Sequence, residues 1–121
     1  MSKLAGRRIL VAEDEYLIAM ELRQEVEKTG AEILGPTASI DETLHLLRTA
    51  GSVDAALLDI NLGGEMAYPV ADALLERGIP IIFISGFGRE GISDKYATAP
   101  LLDKPVVMQR LHACLDGVLG S

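Results

Sequence analysis

The sequence predicts an α/β fold, a doubly wound five-stranded parallel sheet with helices on both faces. Two observations support this prediction. Short apolar runs alternate along the chain with longer segments of helical periodicity, and 49% of the 121 residues are apolar. Strands that alternate with helices imply parallel strands joined by right-handed crossovers. Because 121 residues is the usual length of one domain, we expect a single domain over residues 1–121 with no second domain visible.

Five short apolar runs are predicted as strands. Four of them are too short and too continuous to be amphipathic helices, which is typical of strands buried on both faces. The predicted strands are residues 8–12, 33–34, 55–60, 79–84 and 101–102.

Four segments between and after these runs have the periodicity of helices. The first, 15–29, repeats apolar residues at i+4 spacing and stops at Gly30. The second begins at Ser39, with Glu42 completing a capping box. The third spans 67–77, and the fourth begins after Pro105. The residues expected to be buried are Val70, Ala71, Leu74 and Leu75 in the third helix and Val107, Leu111, Cys114, Leu115 and Val118 in the fourth.

The segment 86–100 is the weakest part of the pattern. It contains Gly86, Gly88 and Gly91 and only scattered apolar residues, so any helix there is short and loosely held. Tyr96 in this segment is either an exposed docking aromatic or a residue packed against the sheet edge.

Five strands in so short a chain suit the flavodoxin-like strand order 2-1-3-4-5. Such sheets bind ligands beyond the carboxyl ends of the strands where the order reverses, here between the first and third strands. Glu13 and Asp14 follow the first strand, and Asp59 lies at the carboxyl end of the third. The sequence therefore predicts that three carboxylates from distant parts of the chain converge.

Crowded carboxylates repel one another unless a cation lies among them. Oxygen ligands with room for water favour Mg²⁺ over a transition metal. Neither His45 nor His112 falls at a strand end, which argues against zinc.

A purely structural interpretation of the acids exists as well. Asp14 and Asp59 could each cap the element that follows. Glu15 opens the first helix, where an acid complements the helix dipole, and we interpret it as structural.

The ends of the last two strands add a hydroxyl and an ammonium group. Ser85 follows the fourth strand, and Lys104 follows the fifth. A cation, a hydroxyl and an ammonium group around one carboxylate favour phosphoryl chemistry, with charge on the transferring group stabilised by the cations. Asp59 is then the nucleophile and forms an aspartyl phosphate.

The motifs ILVAEDE, ALLDIN, FISG and LDKP, in this order, resemble those of the response-regulator receiver domain of two-component signalling, and the resemblance covers the whole chain. It implies a phosphorylation-dependent switch and a cis peptide at Lys104–Pro105. By this resemblance the site consists of Glu13 and Asp14 as Mg²⁺ ligands, Asp59 as phosphoacceptor and ligand, the Asn61 backbone carbonyl as a further ligand, Ser85 as switch hydroxyl and Lys104 as the phosphoryl-contacting lysine.

The stretch from Asp59 to Gly88 is similar to the single-domain receivers nicknamed FAT GUY, which are paired with HWE-type histidine kinases. Ser85 replaces the usual threonine of their motif. Leu101 occupies the position where many receivers carry the rotating switch aromatic. We therefore expect Phe87, or the 86–100 segment, to take part in the conformational change.

The resemblance implies a histidine kinase or histidine phosphotransfer protein as phosphodonor. It also implies output through an unknown protein partner or as a phosphate sink or relay. Beyond its own phosphorylation and dephosphorylation, we expect no enzyme activity, and we expect a monomer or weak dimer. The net charge of −7 argues against nucleic-acid binding, and no apolar run approaches membrane-spanning length. A single cysteine, Cys114, suits the cytoplasm.

Two alternative functions are compatible with the predicted Mg²⁺ site or with the predicted fold. A Mg²⁺-dependent hydrolase of the dehalogenase type needs its nucleophile on the first strand, whereas Asp59 is on the third. A small flavodoxin binding FMN needs a Ser/Thr/Gly-rich phosphate loop after the first strand, where Glu13 and Asp14 lie instead.

Overall fold

A parallel sheet of five strands forms the centre of the computed structural model, which describes residues 4–89 and 92–119. Its order is β2-β1-β3-β6-β7, which confirms the predicted order because β4 and β5 form a separate two-stranded hairpin. The elements are β1 Arg8–Ala12, α1 Tyr16–Glu27, β2 Glu32–Thr37, α2 Ile40–Thr49, β3 Ala55–Asp59, β4 Asn61–Leu62, β5 Glu65–Met66, α3 Tyr68–Glu76, β6 Ile81–Ser85, β7 Leu101–Asp103 and α4 Met108–Leu119.

Each central strand divides its side chains between two apolar cores. In β1, Ile9 and Val11 pack with residues of α1 and α4, whereas Leu10 and Ala12 pack with residues of α2 and α3. The strands β3 and β6 are buried along their whole length. This burial on both faces is the physical reason that these strands appear in the sequence as continuous apolar runs.

The helix boundaries follow local capping chemistry. The Ser39 hydroxyl accepts a hydrogen bond from the Glu42 backbone N–H at 3.1 Å, which confirms the predicted start of α2. Gly30, after α1, has a φ of 88°, a left-handed conformation that a side chain would disfavour. Within the described ranges, no helix is long and apolar enough to cross a membrane.

Two predicted core residues are exposed. Leu75 is 45% exposed, because α3 turns only Val70, Ala71 and Leu74 fully inward. Val107 is 53% exposed, since α4 begins at the next residue and Val107 is not on its inward face. Cys114 is half-buried beside the core, and this burial raises the pKa of its thiol.

The described part of the 86–100 segment contains one 3-10 turn, Asp94–Tyr96, which agrees with the prediction of weak structure. Residues 90 and 91, including Gly91, lie outside the described residues. Tyr96 is 5% exposed, stacks on Tyr68 at 5.3 Å between ring centres, and meets the edge of Phe83 in β6 at 5.6 Å. Of its two predicted roles, the packed one is confirmed.

Candidate functional site

Three carboxylates meet at the carboxyl edge of the sheet, as predicted. Glu13 and Asp14 directly follow β1, and Asp59 is the last residue of β3. The two strands are parallel neighbours in which Ala12 pairs with Leu58, so the residues after them emerge side by side. Oxygen atoms of all three acids lie within 4.8 Å of one another, with Glu13 and Asp59 buried and Asp14 exposed.

Lys104, which follows β7, points its ammonium group into this cluster. Its Nζ lies 2.8 Å from Asp59 Oδ2, 3.1 Å from Glu13 Oε1 and 2.7 Å from Glu15 Oε1. Burial disfavours the charge on Lys104, but hydrogen bonds to these three acids outweigh burial and raise its pKa above the usual value. The peptide bond between Lys104 and Pro105 is cis, as predicted.

Glu13 is buried, but only one of its two carboxylate oxygens accepts hydrogen bonds. Its Oε2 accepts a hydrogen bond from the Glu15 backbone N–H at 2.9 Å, whereas its buried Oε1 has no hydrogen-bond partner. Lys104 is within ion-pair distance of that oxygen but lies outside hydrogen-bond geometry. Burial, reinforced by the neighbouring Asp59, raises the pKa of Glu13 to about 7. An additional cation would favour its charged form.

The donor set fits Mg²⁺. All three clustered side chains offer carboxylate oxygens, and the orphaned Glu13 oxygen is a donor that Mg²⁺ could use. Two backbone amides hold the other acids in place. The Asn61 N–H donates to Asp59 Oδ1 at 3.0 Å, and the Gly63 N–H donates to Asp14 Oδ2 at 3.2 Å. When bound, Mg²⁺ supplies positive charge next to Asp59; coordination by the Asn61 carbonyl stays a prediction.

Ser85, the last residue of β6, lies on the same edge and is buried. Its hydroxyl donates to the Gly88 carbonyl at 3.1 Å and accepts from the Phe87 N–H at 3.0 Å. The Ser85 carbonyl accepts from the Lys104 N–H at 2.9 Å, which ties β6 to the end of β7. The predicted switch hydroxyl is therefore bonded to the loop that follows it.

Two clefts adjoin the cluster and share Phe87, which is 79% exposed. The first has a volume of about 220 Å³ and is lined by Asp14, Glu15, Asp59, Ile60, Asn61, Gly86, Phe87 and Lys104. The second has a volume of about 420 Å³ and is mainly apolar, with Met66, Tyr68 and Ile92 in its lining. Leu101, by contrast, is a half-buried residue of β7 packed against the core.

Sequence reasoning missed the role of the Glu15 side chain. Glu15 is the N-cap residue of α1, but its side chain makes no capping hydrogen bond. The carboxylate instead reaches Lys104 at 2.7 Å. A signal was available, because Glu15 is adjacent in sequence to two acids that were predicted to face the lysine.

A doubly wound sheet with a trio of acids, a hydroxyl and a lysine at its carboxyl edge has the architecture of a receiver domain. The chain belongs to the response regulator receiver domain family, which it matches over residues 9–116. This membership connects the chain with two-component signalling. The matched family is neither that of the dehalogenase-type hydrolases nor that of the flavodoxins.

Relatives of known sequence or structure agree with this assignment. The chain is 31% identical over 84 residues to the uncharacterized transcriptional regulatory protein YbdJ of Bacillus subtilis, covering 68% of this chain and 36% of YbdJ. It is 29% identical over 114 residues to the phyllosphere-induced regulator PhyR of Methylorubrum extorquens, covering 92% of this chain and 43% of PhyR. The chain thus spans less than half the length of these curated relatives.

One solved structure is similar to this chain over nearly its whole length. SdrG from Sphingomonas melonis Fr1 is 37% identical, with a TM-score of 0.82, and the match covers 98% of this chain and 99% of SdrG.

Proposed function

We propose that the chain accepts a phosphoryl group on Asp59 in a Mg²⁺-dependent reaction and acts as a phosphorylation-dependent switch. The observation that supports this most directly is the placement of Lys104 Nζ, 2.8 Å from Asp59 Oδ2, inside an all-oxygen acidic cluster. Asp59 is 3% exposed, yet it lines an open cleft through which a phosphodonor can approach.

The chemistry follows from the charges around Asp59. A carboxylate oxygen of Asp59 attacks the phosphorus of a phosphohistidine, and the phosphorus–nitrogen bond breaks. The electron pair of that bond leaves with the imidazole. The Lys104 ammonium balances the negative charge of the transferring group, and the Asn61 N–H holds the attacking carboxylate in one orientation.

The donor is a histidine kinase, of the HWE type by the resemblance described above, or a histidine phosphotransfer protein. The output is a protein contact, or transfer of phosphate as a sink or relay. We further propose that the chain works in the cytoplasm as a monomer or weak dimer, without nucleic-acid contacts, and has no enzyme activity beyond turnover of its own phosphoryl group. The net charge of −7 supports the absence of nucleic-acid contacts.

Ser85 connects phosphorylation to the loop after β6. To contact a phosphoryl oxygen, its hydroxyl must give up the Gly88 carbonyl, to which it now donates at 3.1 Å. That exchange lets the loop carrying Phe87 rearrange and pack around the phosphorylated site. We expect phosphorylation to slow amide hydrogen exchange within residues 86–100, and unchanged exchange there would contradict this coupling.

The central experiment is incubation with Mg²⁺ and acetyl phosphate, followed by intact-mass measurement and peptide mapping. We expect one phosphoryl group per chain, on Asp59. Asp59→Asn should abolish the gain in mass, and Asp116→Asn, an exposed residue of α4, should leave it unchanged. An Asp59→Asn variant that is phosphorylated like the parent would overturn the proposal.

A further inference from the structure

Three carboxylates share the Lys104 ammonium, and one of them differs from the other two. The Glu13 and Asp59 side chains are 0% and 4% exposed, whereas the Glu15 side chain is 59% exposed. Glu15 nevertheless makes the shortest of the three ion pairs, at 2.7 Å. It is also outside the group of acids whose oxygens could share a cation. Its carboxylate can therefore leave Lys104 for solvent without exposing the core.

Helix formation does not explain where the Glu15 side chain lies. Its backbone has φ −82° and ψ 110°, the extended conformation of an N-cap residue, yet the side chain makes no cap. The backbone N–H is bonded to Glu13 Oε2 at 2.9 Å, which fixes the start of the side chain beside the cluster. From there the carboxylate extends to Lys104 and lines the same cleft as Asp59.

We propose that the Glu15 carboxylate occupies the Lys104 ammonium before phosphorylation and competes with the incoming phosphoryl group for it. This inference rests on the proposed phosphorylation of Asp59. A phosphodonor brings negative oxygens into a cleft lined by both Glu15 and Lys104. To receive them, Lys104 must exchange the Glu15 carboxylate for a phosphoryl oxygen. Glu15 thus weakens donor binding and slows phosphoryl uptake.

The test compares phosphorylation rates of Glu15→Gln and the parent chain over a range of acetyl phosphate concentrations at saturating Mg²⁺. In this reaction the bond between phosphorus and the acetate oxygen breaks, and acetate leaves with the electron pair. Phosphorylated chain is counted by intact mass after quenching. We expect Glu15→Gln to lower the half-saturating donor concentration about twofold to fivefold, the size typical of an ion pair with one exposed partner. The maximal rate should change less.

Two matched variants separate contact with Lys104 from general charge. Glu21→Gln removes the same charge from an exposed position of the same helix and should leave the donor dependence unchanged. Asp103→Asn removes an exposed carboxylate next to Lys104 in sequence, one that is not among the lysine's partners in the described chain. Its effect should be clearly smaller than that of Glu15→Gln.

Three results would overturn the competition between Glu15 and the phosphoryl group. An unchanged or higher half-saturating concentration in Glu15→Gln overturns the inference, as does an equal decrease in Asp103→Asn. A decrease in the maximal rate would show that Glu15 assists Lys104, which also overturns competition. These outcomes leave the proposed function intact if the parent is phosphorylated on Asp59. If the parent takes up no phosphoryl group, the proposed function itself fails.

Discussion

The acidic cluster and the 86–100 segment are built in opposite ways. In the cluster, the acids and Lys104 lie at the ends of sheet strands, where backbone pairing sets their positions to within hydrogen-bond distance. In the segment, the described backbone has only the short turn Asp94–Tyr96, and side chains hold it in place. The chemical groups of this protein thus lie on rigid elements, while the segment expected to move has less regular structure to restrain it.

The segment is nevertheless anchored, most extensively around Tyr96. The ring of Tyr96 lies against Tyr68 and Phe83, and its hydroxyl donates to Asp72 on α3. Lys95 adds an ion pair to the same Asp72 oxygen at 2.8 Å. The loop nearer Ser85 is held by that hydroxyl instead, through the Gly88 carbonyl and the Phe87 N–H.

Removing the aromatic anchor should produce the largest loss of stability. Tyr96→Ala deletes a buried ring with two aromatic neighbours, and we expect the free energy of unfolding to fall by about 3 kcal/mol. Urea denaturation followed by circular dichroism measures this. Tyr16→Ala, which truncates a ring that is 72% exposed, is the control and should cost less than about 0.5 kcal/mol. Similar losses in the two variants would mean that Tyr96 is no anchor.

Stabilisation by Mg²⁺ tests the acidic cluster. A cation that binds only the folded chain stabilises it by about 1.4 kcal/mol when its free concentration is about tenfold above the dissociation constant. We expect this increase for the parent and a much smaller one for Asp14→Asn, read from thermal unfolding with and without MgCl₂. Asp41→Asn, an exposed residue in the first turn of α2, should respond like the parent. An equal response of Asp14→Asn would remove Asp14 from the site.

The Ser85 hydroxyl connects the edge of the acidic cluster to the 86–100 segment, and Ser85→Ala should weaken this connection. The variant loses both hydrogen bonds of the hydroxyl, and we expect a cost of about 1 kcal/mol. Amide exchange at Phe87 and Gly88 should accelerate, while exchange within β1 should follow only the small global change. Unchanged exchange at Phe87 would show that the hydroxyl does not hold the loop.

The smallest expected effect is a pH dependence at Asp72. The Lys95 ammonium, with the Tyr96 hydroxyl second, holds the pKa of this carboxyl below its ordinary value of 3.8. A carboxyl whose pKa is lowered by folding stabilises the fold above its unfolded pKa, and this contribution is lost as pH falls through the folded pKa.

The difference in unfolding free energy between the parent and Asp72→Asn should therefore shrink as the pH falls below 3.8. Urea titrations from about pH 6 to about pH 3 measure it. A difference that grows toward acid pH would contradict the assignment.

Much of the fold could be predicted because burial on both sheet faces leaves a direct mark on the sequence. The runs that became β1, β3 and β6 are continuous and apolar because both faces of these strands pack in the two cores. The prediction of buried residues was wrong where burial depends on which other elements pack nearby. Leu75 has the apolarity of a core residue, but the elements packed around α3 do not cover it.

The candidate site also has a part that the sequence predicts and a part that depends on packing. Glu13, Asp14 and Asp59 could be assigned in advance because parallel strands bring their carboxyl ends to one edge, whatever the details of packing. Glu15 was assigned to the helix alone, since its contact with Lys104 depends on a side-chain direction and on a residue 89 positions away.

By itself, the sequence determined the strand order, the convergence of the acids and the identity of the groups at the carboxyl edge. These follow from periodicity and from the single hand of parallel crossovers. Only the tertiary structure decided how Lys104 is shared, which oxygen of Glu13 lacks a partner and what holds Tyr96. Those features depend on distances of a few ångströms between residues remote in sequence, and no local pattern encodes them.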